Sequence, residues 1–205
     1  MGRPREFDEA AALEAATQRF WRYGYEATSV RDLSEATGLT LASLYNAFGD
    51  KRSLYRRVLE RYGEGAMGGF AQLQALDATP RERITAFLDL MVADSLADPD
   101  HKGCLIVNSA LELSPHDPEF REVVAEVLTH IEAFFHRCVR EGQAQGSISA
   151  AQPPEDLART LLSVLLGLRV LARSRPEREL LEGLVRPALA LLAPSPPAPR
   201  QAAQR

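Results

Sequence analysis

The chain has 205 residues, a quarter of them charged, and a formal net charge of −4. That length holds a small module plus a helical body with a core of its own, and the acidic balance excludes a polycation that grips nucleic acid without specificity. No run of about eighteen apolar residues would span a membrane, the N-terminus lacks the apolar core of a signal peptide, and Cys104 and Cys138 are too few for a disulfide scaffold, all of which suits the cytoplasm.

Helical spacing runs almost throughout, without strand alternation, internal repeat or phosphate-binding glycine loop, so the fold class is all-α. Residues 28–55, TSVRDLSEATGLTLASLYNAFGDKRSLY, read as two short helices meeting at a sharp turn, followed by the start of a third. Ser29 precedes Val30-Arg31-Asp32 as an N-cap with an acid at the third helical position, so hydroxyl and carboxylate together satisfy first-turn amides. Val30, Leu33 and Ala36 follow at helical spacing, and Gly38 stands where a chain leaving a helix takes a left-handed residue. Thr40 caps the next helix, whose Leu44 and Phe48 face inward; Thr40, Leu41, Ser43, Tyr45 and Asn46 look outward or along its flank. That set fits a recognition helix in a major groove. Glycine-turned hairpins also occur in all-α proteins that bind no DNA; the combined spacing favours the helix-turn-helix.

From Phe7 to about Tyr62 the chain resembles the DNA-binding domain of TetR-family transcriptional regulators. The likeness runs through Phe20 with Gly24-Tyr25, Thr28-Ser29-Val30, Gly38-Leu39-Thr40, Ser43-Leu44-Tyr45, Phe48, and Lys51 with Leu54. The family's usual basic or small residue after the cap is Leu41 here, and its frequent histidines next to Tyr45 and Phe48 are Asn46 and Ala47, departures that bear on the operator sequence. The resemblance implies an N-terminal three-helix DNA-binding domain, expected over residues 1–62, and a C-terminal helical effector-binding and dimerisation domain over 63–193. Tyr45 and Lys51 are expected to clamp phosphate beside the groove, Asn46 to read adenine through its amide, and Arg31 to reach a base edge or only a phosphate. Ser29, Thr40, Leu41 and Ser43 complete the expected contact set. Up to Arg61 there are ten Lys and Arg against nine Asp and Glu, and beyond it fourteen against nineteen, so positive charge is local to the reader. Arg3 and Arg5 are placed to enter a flanking minor groove as an arm, or else form a solvated terminus.

Gly63, Gly65, Gly68 and Gly69 are expected to loosen or break the end of helix 4 and hinge reader to body. Thr79-Pro80 opens a helix to about residue 97, with proline at its first position, and Asp98-Pro99-Asp100 ends it. Gly103 to Leu113 is a short apolar helix stopped by Ser114-Pro115; Asp117-Pro118 starts a long one to about Glu141, and 142–154 is a loop. Glu155 to Arg173 and Pro176 to Leu192 form the last two helices, and residues 194–205, PSPPAPRQAAQR, read as a disordered tail.

Those last two helices carry leucines on more than one face, and a helix with two apolar faces has two neighbours. One is the chain's own core; the other is a second copy. Leu161, Leu165, Leu168, Leu180, Leu184 and Leu189 are therefore expected at a four-helix homodimer interface with twofold symmetry, the two heads reading half-sites with centres about 34–36 Å apart. The alternative is that these leucines fill a monomer core.

Phe87, Met91, Phe120 and Phe134 are expected to line an effector pocket, with Asn108, Glu112 and His130 as polar contacts. Cys104 is expected in the first turn of its helix behind His101, Lys102 and Gly103, where the helix terminus and a cation favour thiolate. It is a candidate sensor of electrophiles or oxidants, or else a buried small residue. Neither the His nor the Cys positions form the four-ligand grouping of a structural metal, and no histidine base or oxyanion motif accompanies Cys104; no metal, cofactor or enzymatic activity is expected. The reading is a sequence-specific DNA-binding transcriptional regulator, a repressor by family resemblance, released from a palindromic double-stranded operator by a small-molecule effector. The alternatives are a thiol-based redox or electrophile sensor acting through Cys104, and a helical interaction module with a nonfunctional DNA head.

Overall fold

Short polar residues open most of the helices, and prolines fix several of the starts. In the computed structural model, which describes residues 7–194, the N-terminal unit comprises α1 (Glu9–Tyr23), α2 (Val30–Thr37), α3 (Leu41–Phe48) and the start of α4 (Lys51–Ala75). The body continues with α5 (Pro80–Ala97), α6 (Leu105–Glu112), α7 (Pro118–Gln145), α8 (Pro154–Ser174) and α9 (Arg178–Leu191). The side chains of Asp8, Ser29, Thr40, Asp50, Thr79 and Asp117 each accept from first-turn amides, a contribution of about 0.5–2 kcal/mol per cap. Pro80, Pro118 and Pro154 occupy first helical positions, where their missing amide costs nothing.

The glycines do not break α4, which runs unbroken through residues 63–69. Packing supplies the reason for the first of them. A Cβ on buried Gly63 would stand 2.9 Å from Val127 Cγ2 of α7, so its bare backbone lets the two helices close together and offsets the roughly 1 kcal/mol a glycine costs a helix.

Phe20, Leu33, Leu44, Phe48, Leu54 and Val58 make the core of the reader, where Phe20 meets Tyr55 edge-on at 4.7 Å. In the body, α8 packs along α7, and α9 against α5 and α8. Leu161, Leu165 and Leu168 are 1%, 4% and 0% exposed; this stripe of α8 fills the chain's own core and does not face outward. Leu180, Leu184 and Leu189 of α9 are half-buried. The outward side carries Thr160, Ser163, Val164, Gly167 and Leu184 along a shallow groove, with Val170 exposed. Among the described residues no helix is long and apolar enough to cross a membrane.

Candidate nucleic-acid interface and the cavity behind it

The α2–α3 turn is closed by its own residues. Gly38 takes φ 69° in the left-handed region, the Ser34 hydroxyl donates to the Leu39 carbonyl, and the Thr37 hydroxyl accepts from Leu39 N–H at 3.3 Å. At the start of α2, Ser29 N–H donates to Asp32 Oδ2 at 2.8 Å and Asp32 N–H to Ser29 Oγ at 3.2 Å, with Arg19 ion-paired to Asp32 at 3.1 Å. The Ser29 hydrogen bonds, aided by Arg19, hold the Asp32 carboxyl below its ordinary range. At α3, Thr40 Oγ1 accepts from Ser43 N–H and donates to Ser43 Oγ at 3.0 Å. Ser29, Thr40 and Ser43 thus act first as caps.

Leu44 and Phe48 are buried under α3, while Leu41, Tyr45 and Asn46 are exposed on it. Ala42, not included in the expected contact set, is exposed beside them. No basic residue lies in α3, so cations flank it. Arg31 is exposed and only loosely paired with Glu35 at 3.6 Å, and Lys51 Nζ lies 4.1 Å over the Tyr25 ring at the start of α4. Arg3, Arg5 and the tail beyond Pro194 lie outside the described residues.

Behind the reader is a cavity of about 680 Å³. Phe87 and Met91 of α5, Ile106 and Val107 of α6, Ile131 of α7 and Leu165 of α8 make its apolar walls, while Glu14, Thr17, Gln18 and Trp21 of α1 bring the reader into its lining. Polar groups on the cavity are few and mostly engaged. Buried Arg169 donates to Asp94 Oδ2 at 2.9 Å, Ser95 Oγ at 3.0 Å and the Gly103 carbonyl at 2.7 Å, the partners an interior guanidinium requires. The Tyr62 hydroxyl, pushed well above its ordinary pKa by burial, points to Cys104 Sγ at 3.7 Å. Trp21 meets Tyr62 edge-on at 5.1 Å.

Of the residues expected around an effector, Phe87 and Met91 line this cavity and the others do not; Cys104, the candidate thiol sensor, also lines it. Phe134 is fully buried, stacked on Phe70 at 4.7 Å. Phe120 packs with Tyr55 at 5.5 Å and Tyr25 at 6.0 Å, between reader and body. Asn108 donates to the Lys102 carbonyl at 3.0 Å. Helical phase turns His130 outward, where its Nδ1 meets the Glu126 carbonyl at 2.9 Å. Glu112, at the end of α6, reaches the reader and accepts from the N–H groups of Tyr25 at 3.2 Å and Glu26 at 2.8 Å. Cys104 is the N-cap of α6, one residue ahead of its expected first-turn place, and Lys102 beside it is engaged by Asp98 at 2.7 Å. Cys138 is buried in α7, its thiol pushed up to about 11 by burial; both cysteines are free. Among the described residues no cluster of three or more His, Cys, Asp or Glu side chains could hold a metal ion.

Trp21, Tyr62 and Arg169 were missed by sequence reasoning. The signals available were a lone basic residue within the apolar run LLSVLLGLRVLA and the chain's single tryptophan. Reader and body also meet through a polar seam: Tyr55 and Ser109 hydroxyls lie 2.8 Å apart, and Arg52 makes two hydrogen bonds of 3.0 Å to Asp117. Helix α6 thus touches the cavity through Ile106 and Val107 and the reader through Glu112.

Residues 12–58 match the family model "Bacterial regulatory proteins, tetR family", and residues 80–186 match "Tetracyclin repressor-like, C-terminal domain". The chain belongs to the TetR family. Its resemblance to the HTH-type transcriptional regulator YezE of Bacillus subtilis is 33% identity over 195 residues, covering 94% of this chain and 100% of that protein. The HTH-type transcriptional repressor ComR of Escherichia coli is 31% identical, with 84% of this chain and 82% of that protein covered. A solved cysteine mutant of the TetR-family regulator CifR, complexed with 26-base-pair double-strand operator DNA, superposes with a TM-score of 0.82 at 34% identity, covering 93% of this chain and 100% of that one. This TetR-family chain is accordingly a helix-turn-helix, DNA-binding transcriptional regulator, and the hairpin bearing Tyr45 and Asn46 falls inside the matched N-terminal segment.

Proposed function

We propose that this TetR-family protein is a homodimeric repressor that leaves a palindromic operator when a small molecule fills the cavity behind the reader. The observation that carries this reading is the shared wall: α1 of the reader and helices of the body line one space, so an occupant bears on the placement of the head. Displacing α6 or α4 would change the separation of two heads and misalign them with successive major grooves. The effector has to bind the misaligned state more tightly, and about 10⁴-fold preference switches occupancy almost fully. Repression is supported by the relative ComR, a repressor. Dimerisation is supported by the outward face of α8 and α9, with small Gly167 beside Leu184 and exposed Val170.

Selection of bound duplexes from a random DNA pool by the full chain tests the reader. Enrichment of a palindrome, together with a dimer mass in sedimentation, is the expected result; no enrichment, or a monomer bound to a single half-site, overturns the reading.

A thiol response is the second reading, favoured by the position of Cys104 on the cavity wall under the Tyr62 hydroxyl, and CifR relatives were solved as cysteine mutants on operator DNA. The thiol oxidant diamide should then release the operator from the native chain and not from Cys104→Ser. Equal release from both removes Cys104 from the mechanism.

A further inference from the structure

We propose that the cavity takes an uncharged, largely apolar molecule carrying one hydrogen-bond acceptor, and that the indole N–H of Trp21, a residue of the DNA reader, holds that acceptor. The inference deepens the effector reading of this cavity and rests on it.

Charge disfavours an ionic ligand. Each charged side chain on the cavity has an opposite partner also lining it: Arg169 with Asp94 at 2.9 Å and Arg61 with Glu14 at 3.6 Å. An adjoining space of about 250 Å³, which shares Gln18, Trp21, Asp94 and Arg169 with the larger one, adds Lys102 paired with Asp98 at 2.7 Å, and the exposed His101. An anion would have to win Arg169 from Asp94, Ser95 and the Gly103 carbonyl, and a cation would have to take a carboxylate from its arginine or lysine. For Arg169, 6% exposed, losing its partners would leave an uncompensated buried charge; the Arg61–Glu14 pair is exposed at the rim and weighs little. The apolar walls suit a hydrocarbon body, and the volume lies within the range of small-molecule pockets.

Orientation comes from one buried donor. Trp21 Nε1 is buried and has no hydrogen-bond partner among the described residues, although its ring is held by Tyr62 at 5.1 Å and by Lys102 Nζ at 5.3 Å. The other buried or half-buried donors nearby are engaged, the Tyr62 hydroxyl on Cys104 and Arg169 on its three acceptors, while Gln18, its amide on Glu14 at 2.9 Å, Gln72 and Arg61 lie exposed at the rim, where water serves them. A buried donor left unpaired is costly, so a ligand acceptor supplies the bond the fold omits. The bond is made to α1, which ties the ligand directly to the reader while the body walls hold the remainder.

Three probes test this on the full chain. Prodan, 6-propionyl-2-(dimethylamino)naphthalene, is uncharged and has one ketone; 2-(dimethylamino)naphthalene lacks the ketone; 1-anilinonaphthalene-8-sulfonate is an anion. Binding is read from probe emission and from quenching of Trp21, the chain's sole tryptophan. Prodan should saturate at one per chain and bind about tenfold more tightly than the ketone-free probe, the scale of one hydrogen bond to a desolvated donor. Trp21→Phe should erase that advantage and leave the ketone-free probe within about twofold, since the edge-on packing on Tyr62 is kept. Gly69→Leu guards against a folding artefact: Gly69 lines the cavity and an added Cβ meets no atom within 4 Å, so the variant should keep its helical circular dichroism and exclude both uncharged probes. Tighter binding of the sulfonate, equal weakening of both uncharged probes by Trp21→Phe, or Prodan binding untouched by Gly69→Leu overturns the proposal. Operator anisotropy in the same samples separates the two readings. Prodan bound as expected without DNA release counts against the effector reading alone, whereas release by an ionic compound that competes for the cavity counts against the ligand class alone.

Discussion

The α2–α3 hairpin and the seam between reader and body are both held by polar side chains, at opposite ranges of sequence. In and beside the hairpin each cap closes over three residues, Ser29 with Asp32, Thr40 with Ser43 and Asp50 with Ser53. Across the seam the partners are 54 residues apart for Tyr55 and Ser109, 65 for Arg52 and Asp117, and 86 for Glu26 and Glu112. Local closure forms the reading surface from its own few residues and preserves its shape whatever the body does. Long-range closure exists only while the two units are docked, and each bond contributes on the order of 1 kcal/mol, small enough to be overcome by a shift of α6, which meets the cavity through Ile106 and Val107. The head's shape is therefore set locally and its placement remotely.

The largest test breaks the local side. Leu33 of α2 is fully buried, and Leu33→Ala should cost about 2–5 kcal/mol in urea unfolding and abolish operator binding; a loss under about 1 kcal/mol would mean that the reader is not held by its own core. Substitutions of the expected DNA contacts should do the reverse, changing binding with little change in the unfolding midpoint. Asn46→Ala should cost about 1–3 kcal/mol at one base position, whereas Lys51→Ala should weaken all sequences alike and reduce the salt slope by about one; equal losses on every sequence for Asn46→Ala would remove it from base reading. On the remote side, Glu112→Ala leaves two amides without their acceptor, about 1–3 kcal/mol at most for groups only part-buried, and Glu112→Gln less. Amide hydrogen exchange at Tyr25 and Glu26 should accelerate in Glu112→Ala, and unchanged exchange would show that the seam does not depend on this carboxylate.

The same contrast decides what was legible in the sequence. Ser29 with Asp32, Gly38, and Leu44 with Phe48 each carry their structural reason within a few residues, so the hairpin and its outward face could be read directly. Apolarity marked Leu161, Leu165 and Leu168 as buried and could not say by what; α8 packs within the same chain, most extensively along α7, and Leu165 also lines the cavity. Phe134 and Phe87 are indistinguishable as letters, yet one is sealed against Phe70 and the other lines the cavity. Trp21, Tyr62 and Arg169 come together from α1, α4 and α8, an encounter that no local spacing encodes. Composition records the entropic cost of Gly63, which points to a loosened or broken helix, and not the approach of Val127 that requires a glycine there.

Acid should distinguish the two regions by the smallest effect. Hydrogen bonds from Ser29 hold Asp32 below the ordinary aspartate value, and those from Arg52 do the same for Asp117 in the seam. A folded pKa below the unfolded one gives stability that is complete above the unfolded value of about 4 and is lost as pH falls through the folded value. Both regions therefore weaken on acidification, by different routes. Asp32 is held chiefly by a neighbouring backbone amide and hydroxyl, which salt screens little, whereas Asp117 is held first by a guanidinium, which salt does screen. Unfolding midpoints followed from about pH 5 to about pH 2 should fall less steeply in Asp32→Asn and in Asp117→Asn than in the native chain. High salt should flatten the Asp117-dependent part and leave the Asp32-dependent part in place. Equal salt sensitivity of the two would mean that Arg19, paired with Asp32 at 3.1 Å, and not the capping box, governs the local side.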